Sequence, residues 1–120
     1  GVEPGLGEPV FDKLKADFSK AMLSIGSCVG IEFGLGREFT TLGGKATTTS
    51  KANFGGIEAG ISNGEEITFL LHFRAPSTVG EKAQQGRHDP CILPRVLPVV
   101  AAMATIVLAD HKLRQRAYQL

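Results

Sequence analysis

The last third of the chain constrains the fold more than any other part. A helix is expected there, starting between Pro90 and Pro94 and running to about Gln115, and its middle is apolar almost all round. A helix without a polar face must be covered on more than one side, so the pattern predicts a layered protein with this helix buried between layers. The longest apolar run, Val96 to Ala109, is interrupted by Pro98 and is shorter than the roughly 20 residues a membrane span needs. The expected end, His111-Lys112-Leu113-Arg114-Gln115-Arg116, is basic and suits the negative end of a helix dipole.

The elements that could supply those layers are short. Glu8-Pro9 is expected to open a first helix, since proline is tolerated in a first turn where its missing N–H has no partner. Phe11, Leu14, Phe18, Ala21, Met22 and Ile25 recur at helical spacing, with charged residues opposite, up to a stop near Gly26. Val29, Ile31, Phe33 and Leu35 alternate with smaller or polar neighbours and predict a strand over 28–35. Arg37 to Phe54 is polar and reads as a loop with little to bury. Residues 65–73 predict a second strand, with Ile67, Phe69, Leu71 and Phe73 on one face and Thr68, Leu70 and His72 on the other. Ala75 to Gln85 reads as a second loop. The order helix, strand, strand, helix makes the class α+β, with antiparallel strands packed on helices.

Composition narrows the partners. Thirteen basic and twelve acidic residues nearly cancel, which gives no argument for nucleic acid or a membrane surface. Cys28 and Cys91 form no CxxC pair and have no histidine at zinc-ligand spacing, so two reduced, partly buried thiols of a cytoplasmic protein are expected. The first residues lack the basic and apolar regions of a signal peptide and open on turn chemistry, as if an upstream part preceded them.

Three segments could carry chemistry. Gly55 to Gly64 holds four glycines and could bring bare backbone N–H groups to an anionic or planar ligand, although on its pattern an ordinary turn feeding a strand is favoured. Arg74-Ala75-Pro76-Ser77-Thr78 puts a cation and two hydroxyls after a strand, a set that could hold a phosphate as readily as form a solvated loop. Gly86-Arg87-His88-Asp89-Pro90-Cys91 packs Arg, His, Asp and Cys into one turn before a helix start. Arginine offers a fork for phosphate or carboxylate, and an aspartate beside it should stay ionised and could accept a proton. Arg95 could support the same pocket, though a surface role is favoured. His72 and His111 read as structural, His111 on an exposed helix end.

These segments, in this order, resemble the chorismate synthases. Residues 55–64 match the family's Gly-Gly-Ile-x-Gly-Gly-Ile-Ser-Asn-Gly stretch. Phe73 to Val79 loosely match its Phe-Lys-Pro-Thr-x-Ser/Thr-Ile strand end, and Gly86–Cys91 with Pro94–Pro98 match its Gly-Arg-His-Asp-Pro-Cys and Pro-Arg-x-x-Pro run. Residues 102–111 and Gly5 to Leu14 match further family segments, so the resemblance covers nearly the whole chain. It implies an anti 1,4-elimination of phosphate from 5-enolpyruvylshikimate 3-phosphate to give chorismate, with reduced FMN as cofactor and an association with NADP. It implies that Arg87 contacts FMN and substrate, that Asp89 manages a flavin-ring proton, and that Arg74, Ala75, Pro76, Ser77 and Thr78 form the flavin-phosphate segment. Gly26, Ser27 and Ala59 match further flavin-contact positions. No metal is expected. The family fold is a β-α-β sandwich and its assembly a homotetramer.

The chain departs from the family at named positions. The usual Lys is Arg74, the Pro-Thr pair is Ala75-Pro76, a Gly is Ala59, and Asn-Ala is Gly26-Ser27. The loops at 37–54 and 79–86 look short. The family's N-terminal portion, with two functional histidines and phosphate-binding arginines, is absent, so 1–120 reads as a C-terminal part carrying half a site, inactive alone. The uncovered apolar surface then predicts a retained N-terminal part, self-association or domain swapping. The alternative is a non-catalytic anion- or nucleotide-binding module that kept the fold; a structural domain without a ligand is a third reading.

Overall fold

The computed structural model describes residues 1–76 and 91–119. The described elements are a helix α1 (Leu14–Leu23), a strand β1 (Cys28–Phe33), and a short helix α2 (Gly44–Thr47) set between 3-10 turns at Gly36–Thr40 and Lys51–Phe54. A two-residue hairpin β2 (Ile57–Glu58) and β3 (Ile61–Ser62), a strand β4 (Phe69–Phe73) and a long helix α3 (Leu93–Gln115) follow, α3 continuing as a 3-10 turn, Arg116–Tyr118. This is the expected α+β arrangement. β1 pairs antiparallel with β4, from Cys28 opposite Phe73 to Phe33 opposite Phe69, with an irregularity between Cys28 and Gly30.

The inward residues of that ladder meet α1. Leu14, Phe18 and Met22, four residues apart on one side of α1, are fully buried, and Ile31, Phe33, Ile67, Phe69 and Leu71 pack on them. The rings of Phe18 and Phe69 lie 5.5 Å apart and those of Phe33 and Phe69 5.7 Å, a tilted aromatic cluster. Val100, Met103, Ala104, Val107 and Leu108 of α3 close the other side. The polar excursion over 36–54 buries none of its helical residues.

Helix α1 starts later than expected, at Leu14 rather than at Glu8-Pro9. The preceding segment is held by the hairpin instead. Gly7 bridges Ile61, and the Leu14 N–H donates to Gly60 O at 2.8 Å. A side chain at Gly7 would meet that same carbonyl at 2.4 Å, so only glycine admits the contact. Phe11 consequently lies off the helix and off the core, 90% exposed at φ 57°.

Helix α3 also differs from expectation. It runs unbroken through Pro98 and, with the turn to Tyr118, is long and apolar enough to cross a membrane by length and composition. The expectation from the shorter apolar run is corrected to that extent. Nor is α3 buried between layers among the described residues: Val96, Val107 and His111 are buried, while Leu97, Ile106 and Leu113 are exposed. One layer, α1 with its sheet, covers one face only.

Candidate functional site

Two of the predicted segments meet at the end of α1. Past Leu23 the chain turns through Gly26 and Ser27, and Ser27 takes a left-handed φ of 69°. β4 ends beside it, and the Arg74 N–H donates to Ser27 O at 2.9 Å. This bond ties Gly26-Ser27 to the start of Arg74-Ala75-Pro76. Gly26, Arg74, Ala75 and Pro76 are all exposed, so a cation and open backbone share one surface. A non-glycine residue at positive φ is costly and recurs where a chain is held for a ligand.

Ala59 is not brought to this surface. It occupies the hairpin turn with Gly60, at φ 52° and 88°, the conformation of a tight two-residue turn. That turn adjoins Leu14, so Ala59 and Ser27 lie at opposite ends of α1, whose ten residues rise about 15 Å. The glycine-rich segment forms the β2–β3 hairpin. Ser62 at its base is buried, accepting from the Leu6 N–H at 2.9 Å and donating to Glu3 O at 2.6 Å.

The third segment, with Arg87, His88 and Asp89, lies outside the described residues, as do Ser77 and Thr78. The described chain resumes at Cys91, which is exposed rather than partly buried. α3 runs antiparallel to α1: His111 stands opposite Asp17 while Val100 and Met103 lie toward the far end. From His111 back to Leu93 the helix extends about 27 Å, further than the about 12 Å from Asp17 to Ile25. Its first turns therefore project past the end of α1, in the direction of Ser27 and Arg74. Leu93 and Leu97, seven residues before Val100 and Ala104 and so on the same side, are exposed there, while Val96 between them is buried.

Both remaining histidines are paired. His72 Nε2 stands 2.7 Å from Glu32 Oε2 on the outer sheet face, and the Arg37 N–H donates to Glu32 Oε1 at 2.9 Å. These bonds, His72 first, hold the Glu32 carboxyl below the ordinary glutamate range. His111 is not on an exposed helix end as predicted. It is 2% exposed, with Nε2 2.7 Å from Asp17 Oδ2. Helical spacing contained the signal: His111 falls four residues after Val107, on the core side. An open recess of about 570 Å³ lies at the far end, between Glu8, Val10, Asp12, Arg114 and Tyr118, away from Ser27 and Arg74.

A family model described as chorismate synthase matches residues 1–113. A chorismate synthase of Opitutus terrae is 43% identical over 98% of this chain and 39% of its own length. One of Methylacidiphilum infernorum is 42% identical over 100% of this chain and 39% of its own. A crystal structure of a chorismate synthase superposes with a TM-score of 0.75 at 28% identity, covering 95% of this chain and 34% of that one. The chain thus spans about two fifths of the length of the curated relatives it matches. The match to the second relative runs over 146 positions against 120 residues, so that relative carries residues this chain lacks. The chain belongs to the chorismate synthase family.

Proposed function

We propose that the protein carrying this chain is a chorismate synthase, a lyase that removes phosphate and a ring proton from 5-enolpyruvylshikimate 3-phosphate in an anti 1,4-elimination. The observation that carries the reading is the family match over residues 1–113, which includes the Gly86–Cys91 run. Reduced FMN, when bound, supplies the electron density that assists phosphate departure. The donor set at the end of α1 fits its phosphate end: an exposed guanidinium at Arg74 and open backbone at Gly26 and Ser27, joined by the Arg74–Ser27 bond. Pro76 brings no N–H, so the arginine and the hydroxyls of Ser77 and Thr78 carry more of the phosphate contact. Arg87 holds anionic groups of flavin and substrate, and Asp89 holds a proton at the flavin ring. In this reading the protein is cytoplasmic and homotetrameric. Residues outside this chain complete the site and cover the bare side of α3.

Flavin titration of the full-length gene product tests the reading. Wild type is expected to bind FMN, and Arg74→Ala to weaken it about tenfold to a hundredfold, the worth of a lost hydrogen bond to a charged group. Absence of FMN binding by the wild-type protein would sink the enzyme reading.

A further inference from the structure

The seam between α1 and α3 combines contacts of two kinds. Most of it is apolar, with Leu14, Phe18 and Met22 facing Val100, Met103 and Val107. Apolar contact is non-directional, so a slide of one turn, about 5.4 Å, replaces each such contact with a similar one. The other kind is directional. His111 Nε2 meets Asp17 Oδ2 at 2.7 Å, and Arg114 Nη1 lies 3.4 Å from the same oxygen. Arg114 is also held by Asp110 on its own helix and lies 3.9 Å from Asp12, ahead of α1. The His111 side chain is 1% exposed and Asp17 21%, so after a slip the imidazole would have no water to replace its carboxylate.

We propose that Asp17, His111 and Arg114 act as a register pin that fixes the axial position of α3 along α1, and that they are thereby positioning residues for the flavin site. The placement rests on the chorismate synthase reading; the pin itself does not. Buried ionic groups are poor sources of net stability, because desolvation offsets their attraction and apolar replacements are often neutral or stabilising. A single polar residue in an apolar seam is well suited to choosing one register among several, as in coiled coils. Partial desolvation works against the charge on Arg114, but Asp110, Asp17 and Asp12 outweigh it and hold the guanidinium charged. Its place in the last turn of α3 also suits a cation. Leu93 lies 18 residues before His111, about 27 Å along a stiff helix, so any slip at the pin moves the start of α3 by the same amount.

The test uses the full-length gene product with Asp17→Leu and His111→Leu combined. Spin labels on exposed Leu23 and Leu97, with Cys28 and Cys91 changed to Ser, report the register without reference to flavin. With labelled protomers diluted into unlabelled protein, wild type should give one label distance within the protomer. The double variant should melt near the wild-type temperature, yet show a second population displaced by about 5 Å, one helical turn, and bind FMN at least tenfold more weakly. The single variant His111→Gln, which keeps Asp17 and can still donate to it, should retain both the single distance and the affinity. A folded double variant with the wild-type distance would overturn the pin. An unfolded one would overturn it too, because the cluster would then be holding the fold rather than choosing its register. A slipped register with wild-type FMN affinity would overturn the positioning role alone. A wild-type protein that shows one distance but binds no FMN would defeat the enzyme reading and that role with it, leaving the pin to be judged by distance.

Discussion

The two ends of α1 are built differently. At its start, residues 3–14 and the hairpin are laced together through backbone: Gly5 N–H to Ser62 O, Leu6 N–H to Ser62 Oγ, Ser62 N–H to Leu6 O and Leu14 N–H to Gly60 O. Gly7, Gly60 and Ser62 tolerate little there: a side chain at Gly7 would meet the Gly60 carbonyl, one at Gly60 the Lys13 side chain and the Glu8 carbonyl, and at Ser62 a buried donor and acceptor depend on one hydroxyl. At its other end the Arg74 N–H to Ser27 O bond extends the β1–β4 ladder by one step, and beyond it Gly26, Arg74, Ala75 and Pro76 are exposed, beside a Ser27 at positive φ. Rigid backbone at one end and open functional groups at the other is the division expected of a scaffold that presents a site. The glycine-rich segment, the more conspicuous in sequence, sits at the backbone-laced end.

The comparison breaks most readily at Gly7. Gly7→Ala places a methyl 2.4 Å from Gly60 O at a φ of 121°, and a loss of about 3 kcal/mol in urea unfolding of the full-length protein is expected. FMN affinity of the folded fraction should stay at wild type; a selective loss of affinity would move the site to the hairpin end. A smaller effect of opposite sign is expected at Ala59. Ala59→Gly removes a left-handed alanine, worth about 1–2 kcal/mol, against about 0.4–1 kcal/mol of added freedom in the unfolded chain. The melting temperature should rise slightly without a change in flavin affinity, and tighter FMN binding would give Ala59 a role in contact with the ligand.

The smallest effect lies on the sheet between the two ends. Glu32 titrates below the ordinary range when folded, so folding favours its ionised form. Its contribution is present at pH values above the titration of the unfolded carboxyl and is lost as pH falls through the lowered folded value. Glu32→Gln should lower the urea midpoint modestly at pH 7, and the gap to wild type should close in acid. A gap constant across that range would show that the His72 and Arg37 bonds do not depend on the charge.

Much of the fold was legible because period and turn chemistry are local. The alternation of Ile31 with Phe33 and of Ile67, Phe69 and Leu71 marked both strands and their inward residues, and the Leu14, Phe18, Met22 spacing marked the core of α1; Val29, expected on the inward face, is 63% exposed, beside the irregularity between Cys28 and Gly30. The start of α1 was not legible, since a carbonyl at Gly60, 46 positions away, takes the N–H that begins it. The candidate site divides in the same way. Arg74 and the Gly86–Cys91 run stand out by residue type and by family motif. The joining of Arg74 to Ser27 and the separation of Ala59 from both belong to the tertiary arrangement.

Class, strands, long helix and family can be read along the chain, because hydrophobic period and contiguous motifs are properties of neighbouring residues. Which glycines make close backbone contacts, the burial of His111 against Asp17 and the exposure of Leu97, Ile106 and Leu113 on α3 belong to the tertiary arrangement. The reason is physical: a helix that is apolar all round shows that it needs cover, but not which face a neighbour will take. That depends on where α1 and its sheet come to rest, and the charged cluster at Asp17 and Arg114 marks where they stop.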